Sequence, residues 1–448
     1  MLLTVLLLFT GVSASAYDFI SDGIPCNILS EEDRTVKVTY NKFCQAWISG
    51  DVVIPKRVIN NSTTYTVTAI GSDAFRYCDE MSSITLPNSL TSIGDEAFSN
   101  CKALTSITLP NSLTSIGERA FGGCNKLENI NVETGNDAYS SIDGVLYDNG
   151  ATTLIVCPQG KTSAPKIPET LISIGNDAFY SCSSLTSITL PNSLTSIGDY
   201  AFFNCKALTS ITLPNCLTSI GEGAFLRCTA LTSITLPNSL TSIGERTFGE
   251  CTRLTSITLP NSLTSIGEKA FYFCTSLESI TLPNSLTSIG ENAFMFCNAL
   301  ESVTNQSTVP VECNPKFADE VLKNAVLYVP TGTLAEYEKV DPWRNFWNIE
   351  EMVVTGIEEI EAGNDSNIRL TVNGGVLNID GIDGDENIAV YDMQGRCVYC
   401  GTDRCIDNLA AGIYIIRAGH KILKFTAQAE ITVHLLKQRE SSVKISGV

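Results

Sequence analysis

The sequence predicts a repeat solenoid, mostly β with short helical turns, followed by a small all-β sandwich domain. Three observations lead there. A 23-residue block recurs along the chain, as in "LTSITLPNSLTSIGERAFGGCNK" from Leu104 to Lys126. Inside the block, apolar residues fall at spacings that suit short strands and corners, not one long helix. Past the polar stretch "GIEEIEAGNDSN" the periodicity stops, and short alternating segments separated by Gly and Asn turns take over.

Nine blocks end at Cys78, Cys101, Cys124, Cys182, Cys205, Cys228, Cys251, Cys274 and Cys297. Seven of the eight intervals are 23 residues, and the exception, Cys124 to Cys182, is 58, so an insertion at about 131–166 interrupts the array. In the block beginning at Leu104, "SITL" alternates. That places Ile107 and Leu109 inward on a strand and Ser106 and Thr108 outward. Pro110 and Asn111 end the strand and turn the chain. "SLTSI" supplies a second extended segment with Leu113 and Ile116 inward, and Gly117 permits a tight corner.

After that glycine stands Asp or Glu in seven of nine blocks, then Ala-Phe in eight of nine. An acidic residue at the start of a short helical turn suits the free N–H groups and the dipole there. Phe121 and its equivalents fill the centre of each coil. No coil can bury such a face alone, so coils stack and each covers the next. About ten coils at the roughly 4.8 Å strand spacing give a slab on the order of 50 Å long.

Composition narrows the function. The 448 residues carry a formal charge of −19, which repels nucleic acid and anionic bilayers alike. The opening "MLLTVLLLFTGVSASAYDF" reads as a signal peptide cleaved after Ala16, too short to span a membrane. The mature chain is therefore expected to be exported, without a transmembrane segment, and monomeric. No HExxH, G-x-S-x-G or phosphate-loop motif is present, so no catalytic residue, cofactor or metal site is expected. The acidic column Asp95, Glu118, Asp199, Glu222, Glu245, Glu268 and Glu291 is one repeated position, hence a solvated edge and not an acid–base pair.

Of the 17 cysteines, the nine periodic ones read as small apolar fillers of the core. Identical side chains stacked in register project in parallel, which suits disulfides poorly. No histidine accompanies them, since His420 and His434 lie far outside the repeats. Cys216 stands where other blocks have Ser. Cys397, Cys400 and Cys405 lack a fourth zinc ligand and read as a local disulfide or plain strand residues. Cys26 and Cys44 are a possible pair.

Two surfaces are candidates for binding. The outward strand positions Ser83/Thr85, Ser106/Thr108, Ser187/Thr189, Ser210/Thr212, Ser233/Thr235, Ser256/Thr258 and Ser279/Thr281 make a nearly uniform hydroxyl carpet. Such repetition suits an extended partner bound weakly per strip and tightly in sum. The second is an apolar edge at Tyr272, Phe273, Met295 and Phe296, between the coil phenylalanine and its cysteine. Exposed, it marks a protein contact; otherwise it packs under the segment holding Trp343, Phe346 and Trp347.

The repeat pattern resembles the BspA-like leucine-rich repeat family of the Treponema pallidum type, whose consensus is close to LxxIxLPxSLTSIGxxAFxxCxxL, from about Val67 to Thr304. "YDFISDGIPCNIL" and "VVIPKRVINNSTTYTVTAIG" resemble its amino-terminal cap strands (17–66). "YSSIDGVLYDNGATTLIVCPQGK" is similar to its hairpin insertion, and "LYVPTGTLAEYEKVDPWRNFWNI" to its carboxy-terminal cap (305–354). The resemblance implies a cell-surface adhesin that binds host matrix proteins, host cells or other bacteria, through protein or glycan partners; a scaffold or coat role is the alternative. After a linker (355–366), "IAVYDMQGRCVY", "LAAGIYIIRAG" and "KILKF" make 367–428 resemble a Bacteroidetes type nine secretion sorting domain. That implies passage across the outer membrane and surface attachment. "DGIDGDEN" reads as an acidic turn, and the tail 429–448 extends past the sorting pattern.

Overall fold

Each block folds as one coil because its two apolar strips find cover only on the same strips of the blocks before and after it. In the computed structural model the described residues are 17–39, 49–311, 313, 316–352 and the strands between 369 and 427. Residues 1–16, read as a signal peptide, Cys44, the stretch 355–366 read as a linker, most of "DGIDGDEN" and the tail 429–448 lie outside them. Two units are distinguished: one takes the chain to 304 with 310–327 and 338–348, the other takes 305–309, 328–337 and 349–448.

In the first unit the "SIT" segments lie side by side and pair in parallel in separate short ladders, while those at 187–189 and 210–212 form no strand, unlike the expectation for every block. Asn129–Val132 lies beside Ser106–Leu109, and Ser233–Thr235 beside Ser256–Thr258, with Ile234 opposite Ile257. The two-residue "SI" segments pair in parallel in separate runs, in one of which Ser242–Ile243, Ser265–Ile266 and Ser288–Ile289 pair in register. Ile107, Leu109 and Leu113 are buried as their alternation requires, whereas Ile116 is only half-buried because it lines a cavity beside the insertion.

The coil phenylalanines stack along the interior in two runs. Phe75, Phe98 and Phe121 stand 5.4 and 5.7 Å apart with nearly parallel rings. Phe179, Phe202, Phe225, Phe248, Phe271, Phe294 and Phe317 continue at 4.8 to 5.6 Å. Offset-parallel rings at this separation add about 0.5–1.5 kcal/mol per pair beyond simple burial.

The corners differ from the expected short helical turns: among the described coils they are non-helical turns. Two residues per corner adopt left-handed backbone, for example Arg246 at φ 50° and Glu250 at φ 56°. A left-handed residue cannot continue a right-handed helix, so each turn stops after one winding. The corner glycines answer a different need. A Cβ on Gly117 would stand 2.3 Å from the Asp95 amide nitrogen, and one on Gly221 would stand 2.5 Å from that of Asp199. Coil-to-coil closeness at that point excludes any side chain.

The amino-terminal strands extend both kinds of ladder. Phe19–Ser21, Ile24–Ser30 and Thr35–Val38 lead to Thr63–Ile70, which pairs in parallel with Ser92–Ile93, while Ser49–Val53 pairs with Glu80–Thr85. The insertion forms an antiparallel hairpin, Tyr139–Ile142 with Val145–Asp148, then rejoins the ladder through Thr153–Val156 beside Ser173–Ile174. Buried Asn136 anchors its start by donating to the carbonyls of Pro110 and Leu113 at 2.9 and 3.0 Å. After Thr153–Val156, Cys157 occupies the place of a coil phenylalanine: its amide donates to the Ala178 carbonyl at 2.7 Å, as the Phe179 amide does to Ala201. At the far end of this unit, Trp343 and Phe346 pack on Phe317, at 6.1 and 5.1 Å between ring centres.

In the second unit, Tyr337 is buried and its hydroxyl donates to the Ser307 carbonyl at 2.7 Å. Its later strands make two antiparallel sheets. One orders Arg369–Asn373, Val376–Asp380 and Cys405–Ile406; the other orders Cys397–Gly401, Ile388–Asp392, Gly412–Ala418 and Lys421–Ala427.

Candidate functional site

Hydroxyl groups recur in every coil, but they divide into two kinds by what they bond. Those next to the corners are used between coils. Ser112 Oγ donates to the Leu90 carbonyl at 2.7 Å and Ser262 to Leu240 at 2.6 Å. Thr114 Oγ1 donates to the Thr91 carbonyl at 3.1 Å, and Thr232 and Thr255 extend a similar column at 3.4 and 3.2 Å. The cause is geometric: a carbonyl of the preceding coil lies one strand spacing away on the same side as the hydroxyl.

The strand-face hydroxyls are the other kind. Ser106, Thr108, Ser187, Thr189, Ser210, Thr212, Ser233, Thr235, Ser256, Thr258, Ser279, Thr281 and Thr85 are all exposed. None of their side chains hydrogen-bonds within the described chain. Ser83 differs: it is half-buried and its Oγ donates to Asp51 at 2.6 Å, so the amino-terminal strand takes it out of the row. Sequence alone did not separate committed from free hydroxyls, because both recur every 23 residues. The alternation of "SITL" was nevertheless a usable signal, since it marks which hydroxyls face outward.

At the variable edge, Tyr272, Phe273 and Phe296 converge, with ring centres 4.6 to 5.6 Å apart. Phe273 is 37% exposed, and Tyr272, Met295 and Phe296 are half-buried. Trp343 and Phe346 pack on Phe317 as described, and Trp347 is exposed. Phe273 and Phe296 also hold left-handed backbone, at φ 59° and 64°. The same position is left-handed in every coil, as at Arg227 (φ 64°) and Glu250 (φ 56°). The same edge carries Tyr180 stacked on Phe203 at 4.9 Å, with the Arg119 and Arg227 guanidinium groups over these rings at 5.2 and 5.8 Å. This second aromatic pair went unnoticed in the sequence, although its members occupy the variable positions between phenylalanine and cysteine.

The cysteine column is buried, and its thiols do more than fill space. Cys101, Cys124, Cys205, Cys228, Cys251, Cys274 and Cys297 each donate through Sγ to the carbonyl of the phenylalanine 26 residues earlier, at 3.0 to 3.2 Å. Cys182 instead points to the Cys157 carbonyl at 3.6 Å. A side chain that is small, apolar and a weak donor suits this place, which explains cysteine where alanine would pack but not bond. Burial pushes the Cys78 and Cys251 thiols up to about 12, and also raises Cys205 and Cys228. Thiols held protonated in this way are poor nucleophiles and poor metal ligands. Cys216 is exposed; Cys26 is buried, and its suggested partner Cys44 is outside the described residues. Cys397 and Cys400 share one strand, and Cys405 begins another.

Among the described residues, no group of three or more His, Cys, Asp or Glu side chains is placed to hold a metal ion. Nor is any helix there long and apolar enough to cross a membrane.

The model of the BspA type leucine rich repeat region matches in six copies, over residues 57–142, 156–251 and 218–328. Among solved structures, the pneumococcal vaccine antigen PcpA is 19% identical, with 75% of this chain and 98% of that one covered at a TM-score of 0.47. A leucine rich cell surface protein from Faecalibacterium prausnitzii is 23% identical, covering 64% and 94% at a TM-score of 0.40. A leucine-rich repeat protein from Bacteroides ovatus is 25% identical, covering 75% and 100% at 0.37. No curated protein matches the chain.

Proposed function

Since the chain belongs to the BspA type leucine rich repeat family, we propose that it is a non-enzymatic, exported protein-binding module that works as an adhesin. Its partners are host extracellular-matrix proteins, host cells or other bacteria, met at the cell surface. The observation that carries this reading is the row of exposed strand-face hydroxyls with no internal partner. Many hydroxyls elsewhere in the coil, such as those of Ser112, Thr114 and Ser262, are tied to the preceding coil, which leaves the strand-face row available for recognition. Repeated identical strips favour an extended partner that gains affinity by summing weak contacts.

The aromatic edge at Tyr272, Phe273, Met295 and Phe296 supplies the apolar anchor. Aromatic residues dominate the energetics of protein interfaces.

The carboxy-terminal segment 367–428 is read as a β-sandwich sorting domain, an assignment supported by its antiparallel strands and its sequence resemblance. It would deliver the repeats to the outer surface, after removal of residues 1–16 by the export machinery. Deleting 367–448 should then retain the protein inside the cell envelope, as read by surface labelling; unchanged surface display would remove the sorting role.

Saturable binding of the purified full chain to a panel of matrix proteins and cells tests adhesion directly. Lysine at Ser233, Thr235, Ser256 and Thr258 should abolish it with the melting curve unchanged. Survival of binding in that variant assigns recognition to the aromatic edge, where Phe273→Asn and Phe296→Asn become decisive. Absence of saturable binding across the panel would favour a scaffold or coat role.

A further inference from the structure

The charges of the repeat array avoid one part of every coil. In four successive coils the segments 186–197, 209–220, 232–243 and 255–266 contain no Asp, Glu, Lys or Arg. Every charged residue between them falls in the corner stretches 198–208, 221–231 and 244–254. A chain of net charge −19 thus carries four neighbouring strips with no charge at all. Amide bonds keep the strips level: Thr209 donates to the Thr186 carbonyl at 3.1 Å, Thr232 to Thr209 at 3.3 Å and Thr255 to Thr232 at 2.9 Å. Like residues therefore lie beside like, as Ser233 beside Ser256 and Thr235 beside Thr258. In the next coil Glu278 takes the place of that threonine, and the uncharged panel ends.

The free polar groups of the panel are of one kind. Besides its two strand-face hydroxyls, each strip carries an asparagine just past the strand segment: Asn192, Asn215, Asn238 and Asn261. All four are exposed, and their side chains make no hydrogen bond within the described chain. A hydroxyl and a carboxamide each both donate and accept. A partner that laid a charge here would lose hydration and meet no opposite charge. A neutral partner whose groups also donate and accept trades its bonds to water for equivalent ones. Monotony decides the rest. Strips repeating at roughly the 4.8 Å strand spacing match a polymer of one recurring unit, and not the mixed side chains of a folded protein surface.

We infer that this uncharged panel binds a neutral polysaccharide, an extended run of hydroxyl-bearing sugar units laid across the coils. The inference rests on the reading of the strand-face row as a recognition surface and names its partner, a polymer borne on host or bacterial cells. Weak contacts are summed unit by unit, so affinity grows with the length of the polymer. No charge pair contributes, so salt leaves the affinity unchanged.

Calorimetric titration of the full chain with dextran, laminarin and galactomannan, and with hyaluronate as the anionic counterpart, tests the panel. A neutral polymer should bind saturably and hyaluronate should not, with a Kd constant within about 2-fold between about 0.05 and 0.5 M NaCl. Oligosaccharides of the bound polymer should gain at least about 10-fold from two units to six. Replacing Thr189, Thr212, Thr235 and Thr258 together by Val keeps shape and strand preference. It should weaken binding at least about 20-fold, at about 2-fold or more per lost neutral bond. Asn215→Ala with Asn238→Ala, a second and smaller change, should weaken it at least about 4-fold on the same basis. Saturable binding to matrix proteins with none to any neutral polysaccharide would overturn this inference alone. Preference for hyaluronate, an affinity that falls steeply with salt, or full binding in both folded variants would overturn it too. A four-threonine variant that also keeps its matrix-protein binding would take the strand-face reading with it.

Discussion

Replacing Phe225 with Ala perturbs the interior stack at its best-ordered point. The ring is fully buried, lying 5.3 Å from Phe202 and 5.5 Å from Phe248 with interplanar angles of 2° and 3°. Removing a buried phenyl group costs about 3–5 kcal/mol through lost transfer energy and the cavity left behind. Phe121 offers the internal control. It is also buried, but it stacks on Phe98 alone, because Cys157 and the cavity lie on its other side. Phe121→Ala should therefore cost less than Phe225→Ala by about one ring pair, ~0.5–1.5 kcal/mol. Urea denaturation of both variants, followed by circular dichroism and compared at midpoint, reads the difference. In a chain whose coils contact only their neighbours, Phe225→Ala should also split the repeat transition into two steps. A loss at Phe121 equal to or larger than that at Phe225, or a loss at Phe225 below about 1 kcal/mol, would refute the stacking account.

Other consequences are open to the same measurements. Cys216 occupies the serine position that elsewhere bonds the preceding coil, as Ser193 does to the Leu171 carbonyl at 2.6 Å; Cys216→Ser should restore a bond to Leu194 and raise stability by about 0.5–1.5 kcal/mol. Gly221→Ala drives a methyl group into the Asp199 backbone and should cost at least about 1–3 kcal/mol, seen as a lower melting temperature. The buried thiols set an alkaline limit. Because burial raises their folded-state pKa, the unfolded chain loses its thiol protons first as pH rises, so stability is intact below roughly 8.5 and falls as pH climbs from there toward about 12. Urea midpoints that stay constant between pH 8 and pH 10.5 would contradict that ladder of protonated thiols.

The repeat itself could be read directly. A 23-residue period with alternating "SITL" specifies which residues face inward, and a phenylalanine in each block specifies a shared axis, since a coil has one side it can bury. The stacked phenylalanines follow from those constraints, as does the outward direction of Ser106 and Thr108. Period and alternation are properties of the chain's own geometry, so they show in the sequence. What a group bonds to in the neighbouring coil does not, because that depends on strand spacing and on where the preceding carbonyl points. Tertiary structure alone decided that the cysteines donate to phenylalanine carbonyls, that one set of hydroxyls is tied up while another is free, and that Gly117 is needed for closeness. It also decided that the insertion returns to the ladder with a thiol where a ring belongs: the sequence displays a gap of 58 residues at that place, but only the amide bond from Cys157 to the Ala178 carbonyl, equivalent to that from Phe179 to Ala201, places Cys157 in the phenylalanine column.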